Sequence, residues 1–117
     1  MPSRSPELAL TDIVTNIGLA RQFVGQLSGD EFRADRRTVY AVTRCLEIIS
    51  EASRRLPADL RDRHSEIAWG EIAAAGSVYR HAYEIVGDVI IWKTVTQSLT
   101  PLLAVAELEL KQLKAEK

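Results

Sequence analysis

VYAVTRCLEIISEASRRL, residues 39 to 56, is the stretch whose reading decides the fold. Val39, Val42, Leu46, Ile49, Ala52 and Leu56 recur at spacings of three and four, which puts them on one face of an α-helix. Arg36, Arg37, Glu47, Glu51 and Arg54 fall mostly off that face, so the helix is amphipathic. Pro57 stops or kinks it, because a proline ring has no amide donor and displaces the carbonyl four residues back. Toward the N-terminus, Ser5-Pro6-Glu7 supplies a cap, a first-turn proline and an acid that suits the helix dipole. Leu10, Ile13, Ile17, Ala20, Val24 and Leu27 follow at helical spacing and predict a helix of about six turns. Ser28-Gly29-Asp30 is read as its end.

Toward the C-terminus, Pro57 to His64 (PADLRDRH) has the polar texture of one short helical turn plus a linker. Trp69-Gly70-Glu71-Ile72-Ala73-Ala74-Ala75 starts a shorter helix whose small residues let another helix come close. Gly76 costs a helix roughly 1 kcal/mol relative to Ala, so the segment from Gly76 to Gly87 is expected to bend or end irregularly. Asp88 is read as the N-cap of a last long helix with Trp92, Val95, Leu99, Leu102, Ala106, Leu110 and Leu113 inward. Pro101 lies inside that stripe and should kink it. No alternating strand pattern or repeat competes. The expectation is an all-α antiparallel bundle of three long helices and one or two short ones. It forms one domain over residues 1–117, with residues 1–5 and 112–117 as frayed ends.

The chain has 117 residues, enough for one core and too few for two. Hydrophobic residues make up 46% and charged residues 26%, a globular rather than disordered composition. A net charge of -1 excludes a global basic excess, so any nucleic-acid site must be a local patch such as Arg33, Arg36, Arg37 or Arg54, Arg55, Arg61, Arg63. A single cysteine, Cys45, excludes an internal disulfide and a structural zinc cluster, and a reducing cytoplasm fits. No leader-like apolar stretch is present and no run approaches the roughly 18 apolar residues of a membrane span, so no membrane is expected. Long helices on so short a chain leave apolar surface, which predicts a homodimer.

Few side chains could carry chemistry: His64, His81, Cys45, Tyr40, Tyr79 and Tyr83. Two histidines without a third ligand make a poor metal site, so neither metal nor cofactor is assigned. Cys45 borders the apolar stripe and reads as a buried thiol rather than a nucleophile. His64, in the charged run Arg61-Asp62-Arg63-His64, reads as a solvated surface residue. Tyr79-Arg80-His81-Ala82-Tyr83 is the strongest candidate, because His81 can move protons near neutral pH and Arg80 can hold a phosphate. Arg44 and Arg54 could reach the same cleft from the second long helix, although pairing with Glu47 and Glu51 is the plainer use of each.

Leu46-Glu47-Ile48-Ile49-Ser50-Glu51-Ala52-Ser53-Arg54-Arg55-Leu56-Pro57, then Trp69 and Ile72, then His81-Ala82-Tyr83 and Trp92-Lys93-Thr94-Val95 closely resemble the HepT-like family of the HEPN superfamily. The resemblance covers nearly the whole chain. It implies an all-α toxin subunit, a homodimer and a metal-independent endoribonuclease acting on RNA in a cleft between subunits. By the same resemblance His81 is the acid-base residue. Tyr83 is the tyrosine that receives AMP from a partner, an MNT-type minimal nucleotidyltransferase antitoxin.

One position departs from the family pattern of an arginine separated from the histidine by four to six intervening residues. Counting back from His81 reaches Gly76, Ala75 and Ala74, and the family Arg-Asn pair falls on Gly76-Ser77. Arg80 is a possible substitute, but adjacent helical residues point about 100° apart, so it need not face the same phosphate as His81. Ser77 offers one neutral hydrogen bond in place of a charge-assisted pair. The resemblance therefore supports two readings, a ribonuclease toxin and a catalytically silent homologue that binds a nucleotidyltransferase. A plain helical interaction module is a third.

Overall fold

The structure is a computed structural model that describes residues 5–81 and 85–116; of residues 76–81, 85 and 86 it describes the backbone. The described residues form helices α1 (Glu7–Val24), α2 (Gly29–Ala34), α3 (Arg36–Arg54), α4 (Ala58–Arg63), α5 (Trp69–His81), α6 (Ile85–Lys93) and α7 (Leu99–Ala115). A π-helical turn over Thr94–Ser98 joins the last two into one continuous helix. No strand occurs among the described residues, and the all-α expectation holds.

The predicted stripes become the core. Leu10, Ile13, Ile17 and Ala20 of α1 meet Val39, Val42, Leu46, Ile49 and Ala52 of α3, all at most 1% exposed. Two pairs of contacts give the directions. Arg55 at the end of α3 reaches Asp12 near the start of α1 at 3.1 Å, and Arg21 near the end of α1 donates to Thr100 at the start of α7 at 2.7 Å. Helix α1 thus runs antiparallel to both of its long neighbours. Ser50 of α3 donates to the Ala73 carbonyl of α5 at 2.6 Å, and Arg36 at the other end of α3 meets Asp88 of α6 at 2.6 Å. Ala73 of α5 and Asp88 of α6 therefore lie at opposite ends of α3.

Three local features differ from the sequence reading. Helix α1 ends at Val24, where Gly25 takes a φ of 53° that a side chain would oppose. Ser28 does not end this helix but opens α2, in a capping box with Glu31: its hydroxyl accepts from the Glu31 amide at 3.1 Å and Glu31 accepts from the Ser28 amide at 2.9 Å. The box places Phe32 in the core, with its ring 5.3 Å from that of Trp92. Gly29 allows this approach, since a Cβ there would come within 3.3 Å of the Trp92 indole nitrogen. Finally, Asp88 is not an N-cap; it lies inside α6, where its buried carboxylate faces Arg36 across the bundle.

Pro101 disturbs the last helix as expected, and the form of the disturbance is the π turn just before it. Thr94 and Thr96 add hydroxyl bonds to the Ile90 and Trp92 carbonyls at 2.8 and 2.7 Å, which also bend a helix. The helix from Gly87 to Ala115 is 29 residues long with a mean hydropathy of 1.3 in its most apolar window, enough by length and composition to cross a membrane. Ile91, Val95, Leu99, Leu102 and Ala106 along it are buried against the rest of the bundle.

Candidate active site on the fifth helix

Helix α5 starts where Trp69 closes the linker behind α4. The indole N–H donates to the Arg61 and His64 carbonyls at 3.1 and 3.0 Å, so the entry to α5 is tied to the end of α4. The run Ala73-Ala74-Ala75 brings α5 close to α3, as its small residues predicted. Ser50 and Arg54 of α3 both donate to the Ala73 carbonyl, at 2.6 and 2.9 Å, which sets the register between the two helices. The helix runs on through Gly76 without a break and carries Ser77, Arg80 and His81 on its last turns. Ser77 lies three residues before Arg80 and four before His81, so it shares a ridge with each, while Arg80 and His81 are about 100° apart around the axis. Tyr83, the expected AMP acceptor, lies outside the described residues.

The antiparallel register identifies what on α3 is level with this turn. Arg44 is six residues before Ser50, and Tyr79 is six residues after Ala73, each step about 9 Å along its axis. Arg44 is therefore level with Tyr79 and Arg80. From there an open groove of about 350 Å³ follows α3 along Arg44, Glu47, Ser50, Glu51, Arg54 and Arg55. Arg44 does face Glu47, at 3.5 Å, as the sequence suggested, but Arg54 turns to the α5 backbone instead of pairing with Glu51. Three arginines and two glutamates make the groove mixed in charge, with the basic excess at its two ends.

The remaining candidates separate clearly. Cys45 is 4% exposed, and burial pushes its thiol above the ordinary value, so it stays a protonated core group. His64 is not a solvated residue. Its side chain is 13% exposed, and its Nε2 lies 2.6 Å from a carboxylate oxygen of Glu109, which Arg63 also engages at 2.9 Å. Periodicity could not reveal this cluster, because Glu109 sits on the inner face of α7 where an apolar residue is the default. Tyr40, by contrast, is 62% exposed on α3, with the Arg36 guanidinium 5.9 Å from its ring centre.

An all-α bundle with a histidine near the end of α5 and a groove of mixed charge along α3 is the class of protein that this structure defines. Comparison with known proteins narrows the class. The family described as Ribonuclease HepT-like matches residues 13–108, and the chain belongs to that family. A Thermococcus cleftensis protein named "Probable ribonuclease HepT" is 38% identical over 99 residues, covering 85% of this chain and 90% of its own. A "Putative RNase" of Methanocaldococcus jannaschii is 29% identical over 97% of this chain and 98% of its own length. Another from Caldanaerobacter subterraneus is 32% identical over 85% and 88%. No solved structure matches the chain.

Proposed function

We propose that this chain is the toxin subunit of a HepT/MNT-type pair, a metal-independent endoribonuclease that acts on RNA with His81 as its acid-base residue. The observation that carries this reading is the family match across residues 13–108, a span that includes Ser77, Arg80 and His81 on α5. In the proposed step the His81 imidazole takes the proton of a ribose 2′-hydroxyl as its oxygen bonds to the adjacent phosphorus. The bond from phosphorus to the 5′-oxygen breaks, leaving a 2′,3′-cyclic phosphate, and the departing 5′-oxygen takes a proton from water. Arg80 answers the charge on phosphorus, and Ser77 adds a hydrogen bond. Tyr83 is the hydroxyl that an MNT-type nucleotidyltransferase antitoxin modifies with AMP, and two copies of the cytoplasmic chain form the working unit.

Gly76 favours a second reading, in which the chain is a silent homologue that binds the nucleotidyltransferase. A glycine offers nothing to a phosphate where the family pattern has an arginine. One experiment separates the two: cleavage of a mixed tRNA and mRNA pool in EDTA by the natural chain, His81→Ala and Gly76→Arg. The proposal expects cleavage by the natural chain and a loss of about 100-fold or more in His81→Ala. No cleavage by the natural chain, with activity appearing in Gly76→Arg, replaces it with the silent reading.

A further inference from the structure

Helix α3 has an outward ridge that continues from the groove, with Arg44 belonging to both. Arg37, Tyr40 and Arg44 follow one another at spacings of three and four, and all three side chains are exposed. Tyr40 is 62% exposed and Arg44 71%. Other arginines of the chain are committed at close range: Arg36 to Asp88 at 2.6 Å, Arg55 to Asp12 at 3.1 Å and Arg63 to Glu109 at 2.9 Å. Arg44 meets Glu47 only at 3.5 Å, beyond the range of a strong charge-assisted bond.

The Tyr40 ring already has the Arg36 guanidinium 5.9 Å from its centre, and its exposed area between Arg37 and Arg44 fits single-stranded nucleic acid, whose bases stack on aromatic rings while its phosphates take cations. The charges along α3 favour one direction for such a strand. Glu47 and Glu51 line the groove beyond Arg44 and repel phosphate, so a polyanion favours the side of Arg44 that leads to Tyr40 and Arg37. Because Arg44 is level with Tyr79 and Arg80, a strand on the ridge is at the height of the last turn of α5 along the bundle.

We propose that Arg37, Tyr40 and Arg44 form a track for single-stranded RNA, in which Tyr40 stacks a base and the two arginines hold flanking phosphates, delivering the backbone to the turn that carries His81. The choice of RNA rests on the ribonuclease reading above. The track predicts affinity that is sensitive to salt and tolerant of sequence.

The test measures binding of a fluorescent 2′-O-methyl oligoribonucleotide, which lacks the attacking hydroxyl and cannot be cleaved, to the full chain by anisotropy over a range of salt. Tyr40→Ala should weaken binding roughly ten-fold while Tyr40→Phe preserves it. Arg37→Ala and Arg44→Ala should each lower the slope of log affinity against log salt by about 0.7. Arg21→Ala, on α1 beside Thr100, should change neither. Sedimentation of each variant accompanies the binding. Unchanged affinity in Tyr40→Ala and Arg44→Ala, or no binding by the natural chain, overturns the track. A fall in sedimenting mass also overturns it and assigns the ridge to a second copy of the chain. Track-dependent binding without RNA cleavage leaves the track standing and removes the nuclease reading. Cleavage that the three ridge variants leave unaffected does the reverse.

Discussion

Burying a carboxylate requires that its charge be met, and Glu109 on α7 is met twice. Arg63 lies 2.9 Å from one oxygen and His64 2.6 Å from the other, while the residue itself is 5% exposed. Burial pushes this carboxyl up, but the hydrogen bonds from His64 and Arg63 outweigh it and hold the group below its ordinary value of 4.5. Replacing Glu109 by Ala leaves both donors without their shared acceptor and should cost about 1.5–3 kcal/mol in urea unfolding. A loss below 0.5 kcal/mol would show that the cluster contributes little. The pH dependence has a definite sign. A carboxyl whose folded value is depressed stabilises the fold above its ordinary value and loses that contribution as pH falls through the folded value. Stability of the natural chain should thus decline below about pH 4.5 more steeply than that of Glu109→Gln. Nothing in the run Arg61-Asp62-Arg63-His64 discloses this, because a partner 45 residues away decides whether a charged run is solvated or buried.

Helices were more legible than single residues, and the exceptions have causes. The stripes of α1 and α3 were read correctly, because six or so apolar residues at one spacing outweigh any local propensity. Helix α2 was missed although Ser28 and Glu31 form a capping box, since a six-residue helix shows no periodicity of its own. Pro101 marks the disturbance in the last helix, and its form, a π turn over Thr94–Ser98, is what the sequence does not disclose. Ile91, Val95 and Leu99 are spaced four and four, and eight residues of α-helix overshoot two full turns by about 80°. The wider π turn brings them back to one face. Because the proline ring is exposed, Pro101→Ala should raise stability by about 1–3 kcal/mol, seen as a higher melting temperature. A lower melting temperature would mean that the proline is required for the turn. Ser28→Ala should cost about 1 kcal/mol through the lost cap.

At the scale of the molecule, the expected homodimer gives a sharp outcome. Val89 and Ile90 on α6, 45% and 36% exposed, follow closely on the His81 turn, where the family resemblance puts the subunit interface. The natural chain should sediment at twice the mass of its 117 residues, and Val89→Asp with Ile90→Asp should halve that mass. A similar loss from Leu19→Asp with Phe23→Asp on α1 instead would move the interface to the other face. What the sequence by itself determined was the helical class, the faces that make the core and the family, since each is carried by spacing or by a run of residue types along one segment. Tertiary structure alone decided the antiparallel register that puts Arg44 level with Arg80, the exposed ridge around Tyr40, and the burial of Glu109 with His64. These depend on which surfaces of distant helices meet, and hydrophobic burial, which is not directional, leaves such pairings to the packing of the whole chain.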